Sequence, residues 1–384
     1  MIMQPAELLE IIEKGEDSRT QFKKDITNAV QLAQEMVAFS NTRGSFIIVG
    51  VDDYGNIAGL ESSEIRRLNQ LISNSANENV KPPITPFSEI IKIGERKLLV
   101  IEIKEGVNKP YCTSEGIYFA KVGADKRKIS QEELLRLFQE SGKIYADETI
   151  VYGSSIKDID KELLYSFYEK QYGESIEATG IPLDKILENL NLAKNSILNQ
   201  AGLMLFGKNP QKYRPEFLIK AVSFFGNDLG GTQYRDSEDI DSNLPKQYRN
   251  AMAFLLRNLR KIQKGKDFNV PGVLEVSEIA LQEILVNALI HRDYFINATI
   301  RILIFDNRIE IDSPGKLPNN MTIENIKHGI SCMRNRILAS FASKMLPYRG
   351  LGTGIVRALR DDPAIEFIND TKAERFKVII HRPE

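Results

Sequence analysis

Between Ser277 and His291 the chain writes a helix that is apolar over most of its circumference. Ile279, Ala280, Leu281, Ile284, Leu285, Val286, Ala288, Leu289 and Ile290 leave one thin polar stripe. Glu283, Asn287 and His291 make up that stripe, stacked at i, i+4 and i+8. Burying a carboxylate and an amide among so many aliphatic side chains is costly unless each finds a partner. A helix with one wet edge is the plainest account, but it leaves the downstream pattern unexplained. From Ala298 to Asp312 apolar and polar residues alternate and the alternation breaks at Asp306-Asn307, which predicts an antiparallel hairpin of TIRILIF and RIEI. A sharp bend follows at Asp312-Ser313-Pro314-Gly315. Farther on, Gly350-Leu351-Gly352-Thr353-Gly354-Ile355 opens a predicted helix from Ile355 to Arg360. Closely spaced glycines let backbone N–H groups approach an anion, and a helix start adds its dipole.

The N-terminal third has its own pattern. Asn28 to Ser40 predicts an amphipathic helix whose apolar content is Val30, Leu32, Ala33, Met36, Val37, Ala38 and Phe39. It stops at Asn41-Thr42-Arg43-Gly44, and the apolar run FIIVGV predicts a buried strand that ends in the turn Asp52-Asp53-Tyr54-Gly55-Asn56. Further strands are expected from Ser88 to Ile93 and from Lys97 to Ile103, joined at Gly94-Glu95, and from Ile117 to Val122. Ser141 to Ser155 has the composition of a linker. Ile156 to Leu190 is expected to be helical with Leu163, Leu164, Phe167 and Tyr168 on one face. Gln200 to Pro210 is expected to form a strand leading into a turn, and Arg375 to His381 a last strand.

Charge narrows the chemistry. The 384 residues carry 51 Lys and Arg against 52 Asp and Glu, so no global field draws the chain to nucleic acid. Locally the balance differs. From Asn325 to Arg360 there is no acid, while Lys327, Arg334, Arg336, Lys344, Arg349, Arg357 and Arg360 are present, an excess that suits phosphate. A helix predicted from Ser242 to Lys266 carries Arg249, Arg257, Arg260, Lys261 and Lys264 with no acid between Asp241 and Asp267. It reads equally as a solvated face or a nucleic-acid contact. Cys112 and Cys332 are the only cysteines, far apart and without histidine clusters, so neither a disulfide framework nor a zinc site is expected. The opening MIMQPAELLEIIEKGED lacks the apolar core of a signal peptide and no stretch is long enough for a membrane span, which predicts a cytoplasmic protein of two globular domains.

Two short coincidences carry nothing. His291-Arg292-Asp293 imitates a kinase catalytic loop without the other kinase motifs. The late glycines stand too near the C-terminal end of the sequence for a dinucleotide fold.

Glu-x-x-x-Asn on a helix, a strand ending in Asp and a late glycine loop resemble the GHKL nucleotide-binding fold of gyrase, MutL-type proteins and histidine kinases. QEILVNALIHRDY, IEIDSPGKLP, SCMRNRILASF and GLGTGI resemble the divergent GHKL domain found behind a Schlafen-type (Alba-like) domain in bacterial proteins described as transcriptional regulators. That resemblance implies ATP and Mg2+ as cofactors. Asn287 would be the magnesium ligand, Glu283 would orient or deprotonate the attacking water, and Asp312 would accept from the adenine amino group. Gly350, Gly352 and Gly354 would wrap the phosphates. The Asp-x-Gly-x-Gly box of the fold is here Asp-Ser-Pro-Gly, with Gly315 one place late, and Arg336 stands where relatives commonly carry proline. The basic segment, with Met333, Phe341, Met345 and Leu346 interspersed, would be a mobile lid in which Arg334 or Lys344 reaches the γ-phosphate.

EDSRTQFK, AFSNTRGSFIIVGVDDYGNIAGL and KPYCTSEGIYFAKVG resemble the Schlafen-type domain along its whole length, and AGLMLFGKNP matches the combined family. Some Schlafen-type domains are RNases that hold a divalent metal with two glutamates and an aspartate. Glu16 and either Asp52 or Asp53 could supply two of those acids, but Gln21 stands at the other, and an amide lacks the charge such a site needs. The expectation is therefore an α+β chain: a Schlafen-type α+β domain over 1–145, a connecting α/β region over 146–270, and a GHKL (Bergerat) α/β sandwich over 271–384. Related proteins often add a winged-helix domain, for which no room is expected after the last strand. The function implied is an ATP-binding protein, an ATPase if it turns ATP over, whose GHKL module switches a DNA- or RNA-binding module. A metal-dependent RNase and a non-hydrolysing ATP-sensing assembly protein are the alternatives, and a homo-oligomer is compatible with each reading.

Overall fold

The computed structural model describes residues 3–230, 233–263, 272–318 and 321–383. The chain divides into two compact units, Met1–Lys143 and Ile144–Glu384.

In the first unit a helix, α1 (Pro5–Lys14), precedes a short strand, β1 (Thr20–Lys23). They are followed by α2 (Ala29–Asn41), β2 (Ser45–Val49), α3 (Ser62–Asn74), β3 (Phe87–Ile93) and β4 (Arg96–Ile103). The sheet order is β1-β2-β4-β3, with β1 parallel to β2 and the other pairs antiparallel. Ile48, Leu98 and Val100 pack with Leu8 and Ile12 of α1, while Ile47, Val49, Leu99 and Ile101 pack under α2 and α3. A central strand covered on both faces needs apolar residues at successive positions, which is why the run at β2 is continuous rather than alternating. The Asn28 side chain caps α2 by accepting from Val30 N and Gln31 N at 2.9 and 3.1 Å. At the other end Asn41, buried, donates to Tyr111 O and Phe119 O and accepts from Tyr111 N. The helix stop expected at 41–44 is thus an anchor. Gly44 closes it at φ +72°, where a Cβ would come within 2.6 Å of Glu105 N. A hairpin, β5 (Phe119–Val122) with β6 (Asp125–Lys128), and α4 (Gln131–Glu140) complete the unit.

The second unit contains α5 (Lys161–Tyr172), α6 (Leu183–Asn189), α7 (Gln200–Phe206), β7 (Ile219–Phe224), β8 (Tyr234–Ile240) and α8 (Leu244–Asn258). These lead into α9 (Glu278–Ile290), β9 (Ile300–Ile304), β10 (Arg308–Pro314), α10 (Ile323–Lys327), α11 (Arg336–Met345), α12 (Gly354–Asp361), β11 (Glu366–Asp370) and β12 (Arg375–His381). Six strands form one sheet in the order β8-β7-β9-β10-β12-β11. The predicted hairpin is β9–β10, paired Ile304↔Ile309 across the Asp306-Asn307 turn.

Several expectations are corrected. The region expected to connect two domains over 146–270 supplies β7 and β8 to this same sheet, β7 lying parallel to β9. The linker expected over 141–155 is anchored from Ala146 onward. Asp147 is fully buried and its Oδ2 accepts from Ile337 N and Leu338 N at 2.7 and 3.0 Å, at the start of α11. Burial outweighs those two amides and pushes its carboxyl up to about 6. The strand expected over 200–210 is the helix α7, capped by Asn199 accepting from Gly202 N. Every residue of it is buried, and a run buried all round shows no period to distinguish helix from strand. The helix expected over 156–190 is two helices, α5 ending at Gly173 in the left-handed region at φ 78°. The basic helix expected over 242–266 ends at Asn258, and Lys264 lies outside the described residues.

Candidate nucleotide-binding cleft

Helix α9 starts where Ser277 Oγ accepts from Ala280 N at 3.2 Å. It is apolar nearly all round because it is buried nearly all round, packed between β10 and the helices α8, α11 and α12. Its polar stripe borders a cleft. Glu283, Asn287 and His291 line one wall, Gly350, Gly352 and Gly354 another, and Gly315 and Arg334 the entrance to a slot floored by Ile311, Phe376 and Val378. The cleft opens to solvent on one side, and its walls are mainly apolar with a few convergent polar groups, as in small-molecule sites.

The glycines are required by the geometry. Gly350 and Gly352 have φ of +68° and +71°, and a Cβ at 352 would collide with Gly329 O. Gly354, at the first turn of α12, lies directly against the stripe: a Cβ there would come within 2.6 Å of Glu283 Oε2 and 3.1 Å of Asn287 Nδ2. Asn287 Nδ2 donates to Glu283 O at 2.7 Å, which fixes the amide relative to its helix. The Glu283 carboxylate is ion-paired with Arg357 of α12. Burial raises its pKa above the ordinary carboxylate value, while Arg357 and Arg349 oppose that rise. His291 shares a 3.2 Å hydrogen bond with the Tyr348 hydroxyl. Burial first, and then the Arg334 charge, push His291 down to about 4, so the ring is neutral near pH 7. Arg334 donates to Lys316 O at 2.6 Å and to His291 O at 3.3 Å, bridging the bend after β10 to the end of α9.

Two expected site residues lie elsewhere. Asp312 is on the opposite face of β10 from the cleft, where its carboxylate, 1% exposed, is ion-paired with Arg301 and Arg375. Side chains alternate along a strand, so Ile311 and Ser313 face the cleft and Asp312 cannot. Ser313 occupies the expected position of the acid, donating its hydroxyl to Ala288 O at 3.0 Å. Lys344 is exposed near the end of α11, its ammonium 5.9 Å from the Phe341 ring, and does not line the cleft. The cations that do line it include Lys316, Arg349 and Arg357. Arg349 and Arg357 belong to the basic run read from the sequence, but nothing in that run singled out the partner of Glu283. Arg292 is likewise a structural residue, its guanidinium over the Phe217 and Tyr294 rings and donating to the Ala298 and Ile296 carbonyls.

The acids expected near Glu16 are engaged in other contacts. Glu16 Oε1 accepts from Gln21 Nε2 at 2.7 Å and from Phe22 N at 2.6 Å. Gln21 Oε1 in turn accepts from Lys121 Nζ at 2.6 Å. Lys121 is buried beside Glu35, which also pairs with Lys126 at 2.7 Å. Burial lowers the Lys121 pKa, with Glu35 and Glu16 opposing. Asp52 is a turn former whose carboxylate accepts from Tyr54 N and Asn56 N. Among the described residues, no group of three or more His, Cys, Asp or Glu could hold a metal ion. Two of the basic residues near α8 are engaged: Arg257 pairs with Asp236 and Glu238, and Arg260 with Glu275.

Two family models match the chain. Residues 16–130 match the family described as "Schlafen, AlbA_2". Residues 297–380 match the family described as "Putative ATP-dependent DNA helicase recG C-terminal", an HATPase-type model. The chain thus joins a Schlafen AlbA_2-type domain to a divergent ATPase-like domain, in an α+β architecture. No curated protein matches it. Among solved structures, it is similar to the DIP2311 protein from Corynebacterium diphtheriae, with 19% identity, a TM-score of 0.47, and coverage of 99% of this chain and 80% of that one. It is also similar to the N-terminal domain of a RecG-related protein, described as a putative ATP-dependent DNA helicase, from Nitrosomonas europaea. There the identity is 18%, the TM-score 0.25, and the coverage 34% and 96%. Among the described residues no helix is long and apolar enough to cross a membrane.

Proposed function

We propose that the second unit binds ATP with Mg2+ in this cleft and that occupancy regulates nucleic-acid binding by the Schlafen-type unit. The observation that carries the reading is the meeting of the α9 stripe with the glycine loop: a Cβ at 354 would press on the Glu283 carboxylate and the Asn287 amide. A loop of this kind brings backbone N–H groups to phosphate. The amide oxygen of Asn287, with phosphate oxygens and water, is the sparse oxygen set that Mg2+ accepts. Bound there, the ion would neutralise phosphate charge. Arg334, Arg349 and Lys316 would meet the polyphosphate, and the apolar slot over Ile311 and Val378 would take the base. Ser313 replaces Asp312 as the side chain available to a base amino group. Glu283 is the group that would orient water if ATP is turned over. An RNase reading is disfavoured because Gln21 and Lys121 stand among the acids near Glu16.

The test is calorimetric titration of the full chain with ATP and Mg2+. Asn287→Ala should weaken binding by about tenfold or more, the scale of losing one charge-linked contact, with the apolar faces of α9 intact. Unchanged affinity would remove Asn287 from the site. Fluorescence anisotropy with labelled DNA and RNA, with and without ATP, tests the regulatory half. Identical binding curves would leave a nucleotide binder without a switch.

A further inference from the structure

We propose that the Glu283–Arg357 ion pair is a latch that the terminal phosphate of ATP opens, so that Arg357 distinguishes ATP from ADP. This rests on the cleft being a nucleotide site. Arg357 stands one turn beyond Gly354 on α12 and reaches back across the glycine to the Glu283 carboxylate. Both side chains are mostly withdrawn from water, 19% and 9% exposed, and both line the cleft. The pair is incomplete: Arg357 Nε is buried with no acceptor. A guanidinium presents its donors as a fixed fork suited to two oxygens on one anion, and here one tine of the fork has no oxygen. Glu283 also bears a desolvation penalty that the pair only partly offsets.

A triphosphate changes the balance. Its terminal phosphate has three oxygens and more charge than a carboxylate, and it would approach along the glycine loop that leads into α12, where Arg357 stands. The guanidinium would exchange a single partner for an anion that can satisfy Nε and Nη together. Glu283 would then be released to accept hydrogen bonds from water beside the phosphate. ADP ends one phosphate short, leaves Arg357 on Glu283, and leaves the carboxylate occupied. The closed pair is thus a brake that only the triphosphate releases. Lys344, at the exposed end of α11, has no such access.

Affinities of the full chain for ATP and for ADP, each with Mg2+, test this in the wild type, Arg357→Met, Glu283→Gln and the double variant. The wild type should favour ATP. Arg357→Met should lower ATP affinity by about tenfold or more, to the level of ADP, with ADP changed by less than about threefold. Glu283→Gln keeps the shape and removes the competing charge, so ATP affinity should rise several-fold while ADP stays put. In the double variant the gain from Glu283→Gln should vanish, because it acts through Arg357. Equal losses for ATP and ADP in Arg357→Met, or weaker ATP binding in Glu283→Gln, would make the pair merely structural and overturn the latch. A wild type that binds both nucleotides equally would overturn the latch and keep the cleft. One that binds neither would overturn the nucleotide reading itself.

Discussion

Glu283 in the second unit and Glu35 in the first are each less than a tenth exposed, 7% and 9%, and each faces a cation. Their surroundings diverge from there. Glu35 sits between Lys121 and Lys126, and Lys121 is further held by Gln21 and by Ala124 O, so each charge of that network faces an opposite charge within the fold, although Glu35 Oε2 accepts no hydrogen bond. Glu283 has Arg357 on one side, a cleft on the other, and the backbone of Gly354 where a side chain would close the space. A buried charge alone does not mark a site, since interior ion pairs cost desolvation wherever they occur. What marks one is a buried charge whose neighbourhood leaves room and unmatched donors for a ligand.

The comparison can be broken most forcefully at Gly354. Gly354→Val should reduce ATP affinity by about a hundredfold or more, because the added carbons would shift the Glu283 carboxylate, crowd the Asn287 amide and occupy the junction. Retained affinity would mean that the cleft does not use this junction. An intermediate effect is expected in the closed network. Lys121→Met should destabilise the first unit by about 3 kcal/mol, the scale of breaking a buried pair from one side, with nucleotide affinity unchanged. Adding Glu35→Gln should recover only part of that loss, since it removes the desolvated carboxylate but also the ionic partner of Lys126. Denaturant unfolding of the full chain measures both, and a greater loss in the double variant would show that the network is not electrostatic in origin. The most gradual effect is a pH dependence. His291 has a folded pKa of about 4 against an ordinary 6.5, so the unfolded chain binds the proton more readily. Stability is therefore complete above pH 6.5 and is lost as pH falls from 6.5 through 4, by at most about 1.4 kcal/mol per pH unit. His291→Gln should flatten that limb of the unfolding profile. An unchanged slope would assign the acid sensitivity to other groups.

Much of this was legible in the sequence where one element sees one environment. The α9 stripe, the β9–β10 hairpin and the β3–β4 hairpin at Gly94 all follow from periodicity and turn chemistry. The error at Asp312 was also correctable from the sequence. Ile309 and Ile311 set the inward parity of β10, and a residue one step from Ile311 must face outward. The family resemblance implies the acid, while strand parity places Ser313 on the cleft side. Other features were not legible. Arg357 and Glu283, or Gln21 and Lys121, are distant in the chain, and only the packing of α12 on α9 and of the β5 hairpin near β1 brings them together. The mistaken strand over 200–210 failed for a third reason, since complete burial erases the pattern on which the reading depends.

Asp312 has a use of its own. On the outer face of the sheet it joins Arg301, Glu310, Arg375 and Lys377 in a lattice of opposite charges spanning β9, β10 and β12. A slip of one residue between these strands would drive two carboxylates under α9 and expose Ile309 and Ile311. The lattice works as a key cut for one alignment, making every neighbouring alignment expensive. By setting the register from the far side of the sheet, an aspartate that never meets the cleft decides which side chain does.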